Sequence, residues 1–160
     1  MAWSPRKAGT KKAISIEVPL VLMGKGTSLP PVKATEGASG MDLHAAIPKK
    51  ILLRSGQRVS IPTGLAMEIP EGYEGQVRAR SGLALHHGIA VLNSPGTIDC
   101  DYRGEIRVIL VNLGENPHWI SPGDRIAQIV IQKTISVTWS RYHRLTRTKR
   151  GSGGFGHTGD

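Results

Sequence analysis

The sequence predicts an all-β, jelly-roll-like β-sandwich, and three observations carry that prediction. Gly and Pro together occupy 30 of the 160 positions, a density of turn residues that suits many short strands and argues against a helix bundle. Apolar or alternating segments recur at short spacing between those turns, and only one stretch reads as helical. Aromatic residues make up 4%, with a single Phe, so the core has to be aliphatic. The length suits one ordinary domain and is too short for two independent cores.

In chain order, the strand-like segments are 15–23, 50–53, 58–62, 65–69, 75–80, 105–113, 125–132 and 134–139. Ile61-Pro62-Thr63-Gly64 punctuates the third and fourth, and Ile69-Pro70-Glu71-Gly72 precedes the fifth. Gln76-Val77-Arg78-Ala79-Arg80 alternates in polarity, as a half-buried strand requires. A helix of about two turns is expected at 81–87, with Ser81 capping its start and Gly88 its end. Ser94-Pro95-Gly96 and Ser121-Pro122-Gly123 are further turns. Val108-Ile109-Leu110-Val111 and Ile129-Val130-Ile131 are apolar on both faces, which suits a sandwich interior or a subunit interface.

The net charge of +9 is concentrated at the two ends. Residues 1–35 hold six Lys/Arg against one acid, and 125–160 hold seven against one, whereas 36–124 hold eight against ten. Basic ends suit either solvated tails or segments that find a polyanion, and charge alone does not choose. No apolar run approaches the roughly 20 residues of a membrane span, and residues 1–12 lack the apolar stretch of a secretory signal. The single cysteine, Cys100, fits a reducing, cytoplasmic setting. The expected organisation is a basic N-terminus at 1–13, a β domain at 14–140 and a basic, Gly-rich C-terminal arm at 141–160.

Five local patterns bear chemistry. Ala38-Ser39-Gly40-Met41-Asp42-Leu43 puts a carboxylate where a Gly-containing turn enters a strand, which suits an Asx-type cap or an acid orienting the waters of a hydrated metal. Arg80-Ser81-Gly82 opens the helix, where exposed amides and a guanidinium attract phosphate, although an ordinary N-cap beside a surface Arg has the same pattern. Gly96-Thr97-Ile98-Asp99-Cys100-Asp101-Tyr102-Arg103-Gly104 reads as a tight hairpin with two carboxylates. If it is extended, Asp99 and Asp101 share a face, and Ile98 and Tyr102 would partly bury a general base there. Gly123-Asp124-Arg125-Ile126-Ala127-Gln128 places Gln128 on an Ile-rich strand, where a buried amide needs a partner. Arg150-Gly151-Ser152-Gly153-Gly154-Phe155-Gly156-His157-Thr158-Gly159 holds the only Phe among glycines, where no core forms. A ring there suits a lid stacking on a planar ligand, with Arg150, Thr158 and Gly amides around phosphate oxygens. No Walker A pattern occurs.

With these five patterns in this order, residues 14–159 resemble the homotrimeric dUTP pyrophosphatase (dUTPase) family, and Leu92-Asn93-Ser94-Pro95-Gly96 is similar to its bacterial branch. The resemblance implies a jelly-roll (β-clip) homotrimer with swapped C-terminal tails and three shared sites. It implies hydrolysis of dUTP to dUMP and pyrophosphate with Mg²⁺, which keeps uracil out of DNA and supplies dUMP for thymidylate synthesis. Asp99 would activate the attacking water, and Tyr102 would lie beneath the deoxyribose. Asn93, Thr97, Ile98 and Asp99 would meet the uracil edge, with the Arg107 main chain beside the base. Arg80, Ser81, Gly82 and Gln128 would contact phosphates. Arg150, Phe155, Gly156 and Thr158 would belong to the closing tail, with Phe155 over the uracil. Asp42 would be an outer-shell acid to the magnesium.

The chain departs from the family where Ala79 replaces a frequent Pro and His157 a frequent Ser, and in the heavy basic run at 141–150. Three other readings compete: a related dCTP deaminase, a nucleic-acid-binding module and a non-catalytic assembly protein. The hairpin pattern and the Phe-bearing tail disfavour the first and third, and the scatter of Trp3, Trp119 and Trp139 disfavours the second. No membrane partner is expected, and nucleic acid is not required, although weak contact through the basic ends is compatible with the charge.

Overall fold

The computed structural model describes residues 15–23 and 28–154. Among them are twelve strands and one helix, all strand pairings being antiparallel. The strands are β1 (Leu20–Leu22), β2 (Val32–Lys33), β3 (Met41–His44), β4 (Ile51–Leu53), β5 (Arg58–Pro62), β6 (Leu65–Met67), β7 (Tyr73–Arg78), β8 (Ile89–Val91), β9 (Gly96–Ile98), β10 (Arg107–Asn112), β11 (His118–Ile120) and β12 (Arg125–Lys133). Helix α1 (Ser81–His87) lies between β7 and β8. A five-stranded sheet runs β2-β3-β12-β7-β9, and a three-stranded sheet runs β5-β10-β8. Two-stranded ladders join β1 to β6 and β11 to β4. The fold is a jelly-roll-like β-sandwich.

Alternation explains which face each strand buries. Gly75 and Val77 of β7 turn inward while Arg78 is exposed, and Val108 and Leu110 of β10 do the same beside exposed Arg107. These side chains join Leu43, Ile61, Leu65, Ile89 and Ile129 in one aliphatic cluster that contains no fully buried ring. Non-directional apolar burial is enough to build it.

Two polar side chains are buried with that core: Thr63, whose hydroxyl donates to the Ile106 carbonyl at 2.6 Å, and Asn112. Asn112 is fully buried; its Nδ2 donates to the carbonyls of Leu53 and Asn116, each at 2.9 Å, and its Oδ1 accepts from the Gly114 N–H at 2.9 Å. It ties the end of β10 to β4 and to the loop before β11.

The structure corrects several expectations. Segment 134–139 alternates like a strand but has no ladder partner; the last regular bond there is from the Thr134 N–H to the Gly72 carbonyl. Segment 15–23 contributes only its last few residues, as β1. Ser81 does not cap α1: the N-cap is Arg80, with no side-chain cap bond, because Ser81 is already helical. Gly88 does end the helix, in the left-handed region at φ 67°. The 96–104 block is not a hairpin, since β9 pairs with β7 whereas β10 pairs with β5 and β8. No helix among the described residues is long and apolar enough to cross a membrane.

Asn112→Leu keeps the volume but leaves two carbonyls and an amide unpaired. It is expected to lower unfolding stability by roughly 2–4 kcal/mol in urea titrations. A loss within experimental error of zero would show that the amide is dispensable.

Candidate active site

Two clusters of chemically able side chains form, at opposite ends of β7. The first gathers where β3, β12 and the start of α1 meet. Ladder register sets Asp42 of β3 opposite Gln128 of β12, and Gln128 opposite Arg78 of β7. A register shift between Arg125 and Ala127 marks where β12 enters the ladder. Asp42 is the hub: one carboxylate oxygen is ion-paired with Arg80 Nε at 3.0 Å and the other accepts from Arg125 Nη1 at 3.3 Å. Arg80 Nη1 also donates to the Arg125 carbonyl at 3.1 Å. Among the described residues this leaves Arg80 Nη2 free to meet a ligand.

Gln128 has the structural partner a half-buried amide requires, since its Nε2 donates to the Ala79 carbonyl at 2.9 Å. That bond fixes the turn leading into Arg80. Gly40 packs so close to the Gln128 amide that a Cβ there would displace it. Ser81 and Gly82 are exposed at the first turn of α1, where backbone amides lack intrahelical acceptors. A Cβ on Gly82 would meet nothing, so the chain's own packing does not call for that glycine.

The second cluster lies at the free edge of the five-stranded sheet. Strand β9 pairs Gly96 with Val77, Thr97 with Gln76 and Ile98 with Gly75. After Ile98 the chain turns, with the Tyr102 N–H donating to the Asp99 carbonyl at 3.1 Å. Asp99 and Asp101 therefore sit in a turn rather than on an extended face, and both are exposed, so Ile98 and Tyr102 do not bury Asp99. Tyr102 Oη donates to the Glu105 carbonyl at 3.0 Å, and its ring lies against Gly104, where a Cβ would collide with it. Arg103 clamps the turn through the Cys100 and Tyr102 carbonyls. Asn93 is exposed, with its amide against Gly96. The Arg107 side chain is occupied by Ser60 and by Glu105, whose other oxygen accepts from the Gly64 N–H.

Arg80 and Asp99 are thus five or six residues apart along β7, roughly 15–20 Å at about 3.3 Å per residue. Arg150 caps a small turn of its own, with Nε donating to the Gly153 carbonyl at 2.9 Å. Phe155, Gly156 and Thr158 lie outside the described residues.

Sequence reading missed two participants. Arg125 stood inside a quoted pattern without a role, and only the fold shows it sharing Asp42. His118 of β11 stacks on His87 of α1 with ring centroids 4.5 Å apart, and it lines a cavity of about 280 Å³ together with Arg80, Asp124 and Arg125. Burial lowers the His118 pKa, the nearby His87 lowers it further, and Asp124 opposes both.

The donor set also tests magnesium. Asp42 offers one carboxylate whose oxygens already meet two guanidinium groups, and the described residues contain no group of three or more His, Cys, Asp or Glu side chains arranged for a metal. That suits an ion carried by substrate phosphates and touched through water, not a protein cage.

The fold and first cluster define the class: an all-β sandwich with a corner where two guanidinium groups share one carboxylate. The dUTPase family model matches residues 28–159, and the chain belongs to that family. It is 57% identical over 136 residues to the deoxyuridine 5′-triphosphate nucleotidohydrolase of Chlamydia muridarum, covering 84% of this chain and 93% of that one. Identity to the protein of the same name from Anaplasma marginale is 49% over 145 residues, covering 90% and 99%. The dUTPase of Staphylococcus bacteriophage 80alpha, solved with dUpNHpp, superposes with a TM-score of 0.82 at 22% identity, over 91% of this chain and all of that one. A dUTPase from phage phi11 of S. aureus, described with a structural Mg(II) ion, superposes with a TM-score of 0.73 at 20% identity, over 81% and 98%.

The His118 shift has a stability consequence. The unfolded chain takes up a proton near pH 6.5 while the folded chain resists it, so stability falls as pH drops through that value. Thermal melts from pH 7.5 to 5.5 should show a declining midpoint, with a shallower decline in His118→Gln. Parallel declines in the two proteins would remove His118 as the cause.

Proposed function

We propose that this enzyme hydrolyses dUTP to dUMP and pyrophosphate at a site built between copies of the chain. Membership of the dUTPase family carries the reaction. The placement of the two clusters at opposite ends of β7 is in accord with the sharing. In the proposed homotrimer, the Asp99 turn of one copy faces the Asp42, Arg80 and Gln128 corner of a second, and the Phe155 tail comes from a third. Removal of dUTP keeps uracil out of DNA and supplies dUMP for thymidylate synthesis. We place the reaction in the cytoplasm, with the unpaired thiol of Cys100 in accord.

Each residue then has a task. Arg80 presents its free edge to phosphate oxygens, alongside the Ser81 and Gly82 amides, while Gln128 holds the turn before them. Asp42 would meet, through water, a magnesium ion brought in with the triphosphate, which would supply charge neutralisation. Asp99, exposed at its turn, accepts the proton of an in-line water attacking the α-phosphorus. Tyr102, held by the Glu105 carbonyl and packed on Gly104, would form the floor under the sugar and reject a ribose 2′-hydroxyl. The backbone of Thr97, Ile98 and Asp99, the Asn93 amide and the Arg107 main chain read the uracil edge; a base with the wrong donors leaves them unpaired. Phe155 covers the ring, with Arg150, Gly156 and Thr158 on the phosphates.

Pyrophosphate release measured with dUTP, dTTP, dCTP and UTP, with and without Mg²⁺, should be strong only for dUTP with the metal. Asp99→Asn should lower turnover by about 10²–10⁴-fold while dUTP binding stays measurable. Near-normal turnover would remove Asp99 as the base.

Deleting residues 150–160 should lower kcat/KM at least about 100-fold, because closure and the tail contacts are lost together. The melting midpoint and oligomeric mass should not change. A melted or monomeric product would place the tail in the scaffold instead.

A further inference from the structure

The loop from Tyr102 to Ile106 is tied to the turn between β5 and β6 by a set of bonds with no task so far. Tyr102 Oη donates to the Glu105 carbonyl, so the phenol is seated on the peptide unit between Glu105 and Ile106. The other side of that peptide unit is also held, because the Ile106 N–H donates to the Leu65 carbonyl at 2.7 Å. One residue on, the Ile106 carbonyl accepts from the N–H of buried Thr63 at 3.3 Å and from its hydroxyl at 2.6 Å. The Glu105 carboxylate adds a second point of attachment. Its Oε1 accepts from the Gly64 N–H at 2.9 Å and its Oε2 from Arg107 Nη1 at 2.9 Å. Arg107 is itself fixed on β5, by the hydroxyl and the carbonyl of Ser60, each at 3.1 Å. Gly64 stands at φ 66°, a left-handed conformation that favours glycine, and a Cβ there would collide with Ser28.

We propose that Glu105 is a positioning residue for Tyr102: its carboxylate fastens the peptide that seats the phenol to the Gly64 turn, and so fixes the ring that sorts deoxyribose from ribose. A phenol on one hydrogen bond is no better placed than the carbonyl that accepts it. The Ile106–Leu65 bond alone leaves the peptide plane free to turn about that bond. Two charge-assisted bonds from the preceding side chain remove this freedom. Arg103 does not serve the same purpose, since it holds the Cys100 and Tyr102 carbonyls and leaves the phenol's acceptor untouched. Rejecting a single hydroxyl by contact requires a ring that does not yield, and displacements of about 1 Å are enough to cost large factors in rate. The inference rests on the sugar-floor role proposed for Tyr102, and its test includes a measurement independent of that role.

The test compares kcat/KM for dUTP and for UTP in the full chain. Glu105→Ala should shrink the preference for dUTP about tenfold, with the loss falling on dUTP and not on UTP. Glu105→Gln keeps an acceptor for the Gly64 N–H and guards against misfolding; it should shift the preference the same way by about threefold. Tyr102→Phe removes the seated hydroxyl, and adding Glu105→Ala to it should cost little more, because both act through one contact. Independently of turnover, the chain's three tyrosines can be replaced by 3-fluorotyrosine, with the Tyr102 resonance identified by its absence in Tyr102→Phe. That resonance should shift or broaden in Glu105→Ala. Parallel losses for dUTP and UTP with an unchanged preference would overturn the proposal, as would full additivity with Tyr102→Phe or an unmoved Tyr102 resonance. A wild-type chain that leaves dUTP intact would sink the reaction instead, and the fluorine spectra would still decide whether Glu105 holds the ring.

Discussion

Strand β7 is hydrogen-bonded along both edges, to β12 and to β9, and neither neighbour can slip by one residue without turning its buried face outward. Val77 and Ile129 sit opposite each other in the core, which locks the β12 register. Gly75 is crowded by Ile69, Ile129 and Ile98, which locks the β9 register. With both registers set, the position of every functional group follows. The Asp42–Arg80–Gln128 corner belongs to the end of β7 that runs into α1, and the Asp99 turn belongs to the opposite end. Apolar packing under β7 therefore determines that the two clusters, proposed as half-sites, lie at opposite ends of one strand.

In the first cluster one carboxylate, Asp42, faces two guanidinium groups, and Asp124 lines the same cavity as Arg80 and Arg125. The two pairs are unequal. Arg80 is mostly covered and has a second bond to a backbone carbonyl, which gives it a fixed orientation. Arg125 is 54% exposed and 3.3 Å away, the kind of ion pair that contributes little to stability and can rearrange at small cost. Asp42 thus acts chiefly as an orienting group for Arg80, compatible with a water-mediated role toward a substrate-borne ion and incompatible with a closed metal cage.

Much of this was legible in the sequence because turn chemistry and alternation are local signals. The Pro-Gly punctuation correctly separated β5, β6, β7 and β12, and Gly88 marked the end of α1, whereas the cap expected at Ser81 is provided by Arg80. Strands β2, β8 and β11 were not legible, since two or three residues make no measurable period and exist only through their partners. The opposite error arose at 134–139, where a good alternating pattern has no neighbour to pair with. Among the site residues, Asp42, Arg80 and Gln128 were found as patterns and the fold joins them. Arg125 and His118 were missed because their roles come from register and stacking, which no spacing rule encodes. The 96–104 block misled in geometry: its residues suit a hairpin, yet β9 is claimed by β7 before β10 can return to it.

The separated half-sites and the uncovered apolar residues point to the same requirement. Val21, Leu22 and Met23 around β1 and Val32 on the short edge strand β2 are each about half exposed, and Ile135 is 87% exposed. Together with the unpaired alternating segment that contains Ile135, this is more apolar surface at sheet edges than an isolated chain is expected to leave open. Bringing copies together would cover those edges and would also set the Asp99 turn of one against the Arg80 corner of another. The two demands are independent, one arising from hydrophobic burial and the other from the length of a nucleotide triphosphate. The proposed homotrimer would meet both. An arrangement that covered the edges and left the two clusters apart would satisfy the packing without serving the role proposed for Asp99.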